Sequence, residues 1–148
     1  MSSLVLASCG KDNKNDDPIP VKTHVVSVRV AGRDLAGLGA ELQVTSQLVA
    51  GGKSQEGPQA ADQYIDTADK TYNIGTFSNA DVVTATIAFK NVTRTSSPRP
   101  PLSSALAVVF IIDGQTNQSV TLDAKGIGSG VSYTPYLSGT TAVQMDKL

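Results

Sequence analysis

The sequence predicts an all-β fold, an antiparallel two-sheet sandwich of about seven strands. Apolar residues recur at every second position through most segments, the period of a half-buried strand. Clusters of Gly, Pro, Asn, Asp and Ser separate those segments at short intervals, as turns require. Large side chains are scarce, with no Trp, three Phe and four Tyr in 148 residues. The core is therefore expected to be Val, Ile, Leu and Ala, with Phe77, Phe89, Phe110 and Tyr72 as its largest pieces.

The elements follow in order. His24 to Val30 places Val26, Val28 and Val30 on one face and Ser27 and Arg29 on the other. Gly32 to Gly39 is a glycine-punctuated connection. Leu42, Val44, Ser46 and Leu48 share a face of the second strand. Lys70 to Phe77 forms the third, with Tyr72, Ile74 and Thr76 opposing Thr71, Asn73 and Phe77. Val82 to Val92 is the clearest strand: Val83, Ala85, Ile87 and Phe89 alternate with Val82, Thr84, Thr86, Ala88 and Lys90. Its Val and Thr content suits a pleated surface and opposes a helix. Leu106 to Ile112 is apolar on both faces, which predicts a central strand. Asp113-Gly114 then turns the chain, and Ser119 to Ala124 returns with Val120 and Leu122 inward. Gln115 to Gln118 is expected to widen that hairpin loop. Thr140 to Met145 is the last strand, aligning Thr141, Val143 and Met145.

Seven strands with this turn chemistry fit a sandwich of immunoglobulin-like topology; a closed barrel is the rival. The one helical expectation is a short turn near Gln59 to Ile65, with Pro58 at its start. Gly51 to Asp62, Thr93 to Ser104 and Gly126 to Tyr136 read as long loops, the places on a rigid scaffold where recognition concentrates.

Charge and length bound the function. Lys and Arg number 12 against 13 Asp and Glu, and from Val21 onward the balance is ten against ten. No basic cluster exists to neutralise phosphates, so no nucleic-acid partner is expected. After Ala7 no apolar run approaches the length of a membrane span. Residues 21–148 form one domain large enough to bury a core without a disulfide, which a single cysteine cannot supply within the chain.

Catalytic chemistry is thin. An enzyme needs convergent titratable groups, and His24, the only histidine, sits at a strand start on the same side as Val26, where a structural role is expected. Neither a nucleophile elbow nor a second histidine accompanies the Ser-rich stretches. Gly51-Gly52-Lys53-Ser54 resembles part of a phosphate loop, but position 47 is Gln where that loop needs glycine. Asp62, Asp66 and Asp69 lack the spacing of a calcium loop, and Asp113 and Asp123 are assigned to turns and solubility. No catalytic residue, metal site or cofactor is therefore expected.

Binding is the better expectation. Tyr133 and Tyr136 in one loop and Arg94 and Arg99 in another are the candidate binding residues, because Tyr and Arg are enriched at interaction hot spots. The plainer reading has the tyrosines covering one open end of the sandwich and the arginines in solvent. An edge strand for partner pairing is expected at His24–Val30 or Thr140–Met145.

The N-terminal segment supplies an address. Leu6-Ala7-Ser8-Cys9 resembles the bacterial lipobox, in which an apolar residue and two small residues precede a cysteine that becomes lipidated. The charged stretch from Lys11 to Asp17, with Asp12, Asp16 and Asp17, resembles the acidic tether of small envelope lipoproteins of the Bacteroidetes type. Residues 1–8 then read as a truncated signal-peptide remnant, because no Lys or Arg precedes Leu4. Residues 9–20 read as a disordered tether after the lipidated cysteine. The resemblance implies outer-membrane anchoring through acyl chains on Cys9, on the surface or the periplasmic side. It makes Asp66-Thr67-Ala68 a candidate O-glycan acceptor, with Thr67 as the modified residue. The expected function is a non-catalytic envelope domain, structural or protein-binding, with an unknown envelope protein or glycan as partner. A carbohydrate-binding module and a hydrolase with an Asp/Ser site are the alternatives.

Overall fold

The computed structural model describes residues 20–91, 103–123 and 137–148. These form nine strands: β1 (Thr23–Arg33), β2 (Ala40–Ala50), β3 (Lys53–Glu56), β4 (Ala60–Tyr64), β5 (Ala68–Ser78), β6 (Val82–Phe89), β7 (Ala105–Ile112), β8 (Gln115–Asp123) and β9 (Leu137–Gln144). A short 3-10 turn, Met145–Lys147, follows. One sheet runs β5-β1-β7-β8 and the other β3-β2-β6-β9, with β4 beside β3 on the same edge of β2. Every pairing is antiparallel. The chain is an all-β, two-sheet sandwich.

The pairings β1–β5 and β2–β6 match second with fifth and third with sixth strand of an immunoglobulin sandwich, and β9 flanks β6 as the seventh strand does there. The hairpin β7–β8 occupies the flank of β1 that the first strand takes in that fold.

Alternation builds the core. Val26, Val28 and Val30 of β1 meet Leu42 and Val44 of β2, Val83, Ala85, Ile87 and Phe89 of β6, and Leu106, Val108 and Phe110 of β7 in one buried cluster. Leu35 and Leu38, from the β1–β2 connection, plug one end of it. A Cβ at Gly32 would lie 2.8 Å from Leu35 Cδ1 and 2.9 Å from Leu106 Cδ1, so a side chain there would displace the ends of both leucines.

Several expectations are corrected. Residues 59–65 are not helical: Ala60–Tyr64 pairs with Ala40–Val44 as β4. Gly51–Asp62 is not one long loop, since Lys53–Glu56 also pairs with β2. These two short strands raise the count from seven to nine. Between them the chain crosses Ser46, whose Oγ donates to Pro58 O at 2.6 Å while Gly57 N donates to Ser46 O at 3.0 Å.

Phe77 lies in the core on the same side as Ile74. A bulge causes this: Val26 faces Gly75 and Ser27 faces Asn73, so Ile74 is an extra residue on β5 and the parity flips. Gly75, at φ 146°, supplies backbone open to glycine. The β7–β8 loop is not widened either. Ile112 pairs directly with Gln115 across a two-residue turn, Asp113 at φ 51° and Gly114 at φ 80°, which is type I′ geometry. The extra residue is absorbed within β8, opposite Phe110. β1 is an interior strand, not an edge; β9 does lie at an edge.

Candidate functional site

The two ends of the sandwich differ in construction. At one end the strands are joined by Gly51-Gly52, Asn79–Asp81 and Asp113-Gly114; this is the tight-turn end. Gly51 and Gly52 have φ of 58° and 75°, again the type I′ pattern. Residues 34–39, 65–67, 90–104 and 124–136 connect strands at the opposite end, the loop end.

Two carboxylates organise the tight-turn end. Asp81 is buried and accepts from Val49 N at 2.8 Å with one oxygen, and from Ser78 N at 2.8 Å and Ser78 Oγ at 3.0 Å with the other. Its carbonyl accepts from Met145 N at 3.1 Å. One residue thus joins the end of β2, the β5–β6 turn and the segment after β9. Asp113 accepts from Val25 N at 2.9 Å and lies 2.7 Å from His24 Nδ1. Its backbone N donates to Val25 O at 2.9 Å, extending the β1–β7 pairing into the turn. The hydrogen bond from His24, then that from Val25, holds the Asp113 carboxyl below its ordinary range. His24 is buried, as expected of a structural histidine, and Asp113 does more than shape a turn.

The loop end is anchored by backbone. Leu35 N donates to Asp66 O at 2.8 Å, Lys90 N to Gly39 O at 3.1 Å and Asn91 N to Leu38 O at 2.9 Å. Asp34 bonds Ser103 Oγ through its carboxylate, and its carbonyl accepts from the buried Ser104 Oγ at 2.5 Å. The strand ends that flank 92–102 and 124–136 all lie here. Leu137 faces Phe89 across β6–β9, and Ala105 faces Asp123 across β7–β8.

Of the sequence-derived candidates, Cys9, Arg94, Arg99, Tyr133 and Tyr136 lie outside the described residues. Thr67 is exposed in the β4–β5 connection at the loop end. Asp62, Asp66 and Asp69 do not gather round a common point; among the described residues no group of three or more metal-ligating side chains exists.

A cluster with no forewarning in the sequence reading closes one side between the sheets. Tyr72 Oη, on β5, donates to Asp62 Oδ2 of β4 at 2.5 Å, and Lys70 Nζ donates to the same oxygen at 2.9 Å. Tyr72's proton being committed, Tyr64 Oη donates to Tyr72 Oη at 2.7 Å. The Tyr72 and Lys70 hydrogen bonds, with the backbone N–H of Gln63, lower the Asp62 carboxyl to about 2. Burial, then bonding to Asp62, raises the Tyr72 phenol, and burial raises Tyr64. With its carboxyl held low and the two phenols raised, the cluster acts as a latch that ties β4 of one sheet to β5 of the other.

Compared with known protein families, curated proteins and solved structures, the chain matches none. Among the described residues no helix is long and apolar enough to cross a membrane.

Proposed function

We propose that this chain is a non-catalytic envelope lipoprotein domain, anchored through Cys9 and binding a protein partner at its loop end. The observation that supports the reading is the polarity of the sandwich. β1 enters at the tight-turn end, where Thr23 pairs with Ser78 and Val25 with the Asp113 turn. The two longest connections, which carry Arg94, Arg99, Tyr133 and Tyr136, leave from the opposite end. An acyl anchor on Cys9 would attach the chain at the tight-turn end and leave the loop end the farther from the point of attachment. Thirteen residues separate Cys9 from Thr23, a reach of at most about 45 Å when extended.

The test has two arms. Intact mass of the protein from its native host is expected to show a species beginning at Cys9 with added acyl mass; an unlipidated Met1 species would end the anchoring claim. Cross-linking in native envelopes is expected to capture one dominant protein with the wild type. Capture should be lost with the double variants Arg94→Ala/Arg99→Ala and Tyr133→Ala/Tyr136→Ala. Equal capture by all three would end the loop-end claim.

A further inference from the structure

We infer that the outer face of the β5-β1-β7-β8 sheet carries a binding site for a carboxylate-bearing sugar, a hexuronate, centred on Ala31 between Arg29 and Arg33. Strand alternation puts these three residues in one outward row on β1, with the two arginine Cα atoms about 13 Å apart. Across the sheet Ala31 faces Asp69 of β5 and Ala107 of β7, and Arg33 faces Ala105. Arg29, Ala31, Arg33, Thr67, Asp69 and Ala105 line an open depression of about 440 Å³, within the size of small-molecule sites.

The donors are already set. Arg33 Nε donates to Ser103 O at 2.9 Å, and Ser103 is itself bonded to Asp34, so the guanidinium is oriented before any ligand arrives. Among the described residues Arg33 makes no ion pair, whereas Arg29 reaches Asp69 at 3.2 Å. A planar guanidinium fixed at Nε and lacking a carboxylate partner suits a ligand carboxylate. Asp69 offers acceptor oxygens and Thr67 a hydroxyl to ligand hydroxyl groups, while the alanine methyls give a shallow apolar floor for a ring's C–H face.

Charge selects the class. Arg29 is paired with Asp69 and the Asp34 carboxylate with Ser103, so the Arg33 fork is the group left for a single ligand carboxylate. A neutral sugar would leave the Arg33 fork without its acceptor. The site uses none of Cys9, Arg94, Arg99, Tyr133 or Tyr136, so it is tested apart from the lipoprotein reading.

The test is a titration of the full chain, by calorimetry and amide chemical shifts, with trigalacturonate, its fully methyl-esterified form and acetate. Trigalacturonate is expected to bind saturably and to shift amides of residues 29–33 and 67–69. The ester and acetate are expected to bind at least tenfold more weakly. Arg33→Ala should weaken binding tenfold or more and Arg33→Lys less. Ala31→Leu, which fills the exposed floor without touching the core, should also weaken it, and Lys53→Ala should leave it unchanged. No binding of trigalacturonate, equal binding of the ester or of acetate, or retained affinity in a folded Ala31→Leu or Arg33→Ala variant would overturn the inference.

Discussion

At the tight-turn end no connection exceeds three residues, and two of the three are fixed by side chains: Asp81 gathers three donors, and Asp113 joins β1 to the β7–β8 hairpin. At the loop end three of the four connections have six residues or more, and the anchors among the described residues are mainly backbone bonds to Gly39, Leu38 and Asp66. The difference is one of where sequence is constrained. A buried carboxylate with several donors tolerates no replacement, because each donor left behind in the interior is costly. Connections that run over the surface accept change without disturbing the sheets. One end of this molecule is built to hold; the other is where variation has room.

The strongest way to break the comparison is Asp81→Ala. It orphans the amides of Val49 and Ser78 and is expected to cost about 3 kcal/mol, from roughly 1–3 kcal/mol per unsatisfied buried group. Urea unfolding measures this, and a loss below about 1 kcal/mol would show that the tight-turn end is not held by this residue.

A smaller effect is expected at the latch, which belongs to neither end. Tyr72→Phe removes the main hydrogen bond to Asp62 and should cost on the order of 1 kcal/mol. It should also bring the Asp62 carboxyl up toward its ordinary value, as read by carbon-13 NMR titration.

The pH dependence follows from the direction of the shifts. Asp62 and Asp113 are both depressed in the folded chain, so their stabilisation is complete above the unfolded carboxyl range. It is lost as pH falls from about 4 toward 2. For Asp62, partly open to solvent, this amounts to about 1 kcal/mol. Denaturation midpoints at pH 6, 4 and 2.5 should therefore decline in that order, and less steeply in Tyr72→Phe; a wild-type midpoint that holds constant to pH 2.5 contradicts it.

The smallest stability effect is expected at the loop end. Replacing Arg94, Arg99, Tyr133 and Tyr136 by Ala should change the unfolding free energy by no more than about 0.5 kcal/mol. A loss above 2 kcal/mol would instead identify those residues as cover for the core.

Strand identity was legible wherever burial alternates cleanly. Val26, Val28 and Val30, or Val83, Ala85, Ile87 and Phe89, announce their inward face because every second residue must leave water. The edge strands β3 and β4 were hidden for the opposite reason. Lys53–Glu56 is wholly exposed and Ala60–Tyr64 only half-buried on one face, so backbone pairing with β2 holds them rather than an apolar pattern. The side of Phe77 was misread because one bulge residue reverses parity, and bulges leave no mark in hydrophobic periodicity. The Asp62–Tyr72–Tyr64 latch and the Arg29–Arg33–Asp69 depression were equally unreadable. Their members stand up to forty residues apart, and only the β1–β5 pairing and the approach of β4 to β5 join them.

The class of the fold, most of the core residues and the presence of a turn at Asp113-Gly114 were readable from local period and backbone preference, though not the two-residue length of that turn. The sequence also carried the lipobox-like segment at Cys9 and the absence of a basic cluster. Tertiary structure alone decided strand order, register, the polarity of the two ends and which charged residues meet. Those depend on pairings between distant segments, where one inserted residue moves every later side chain to the other face.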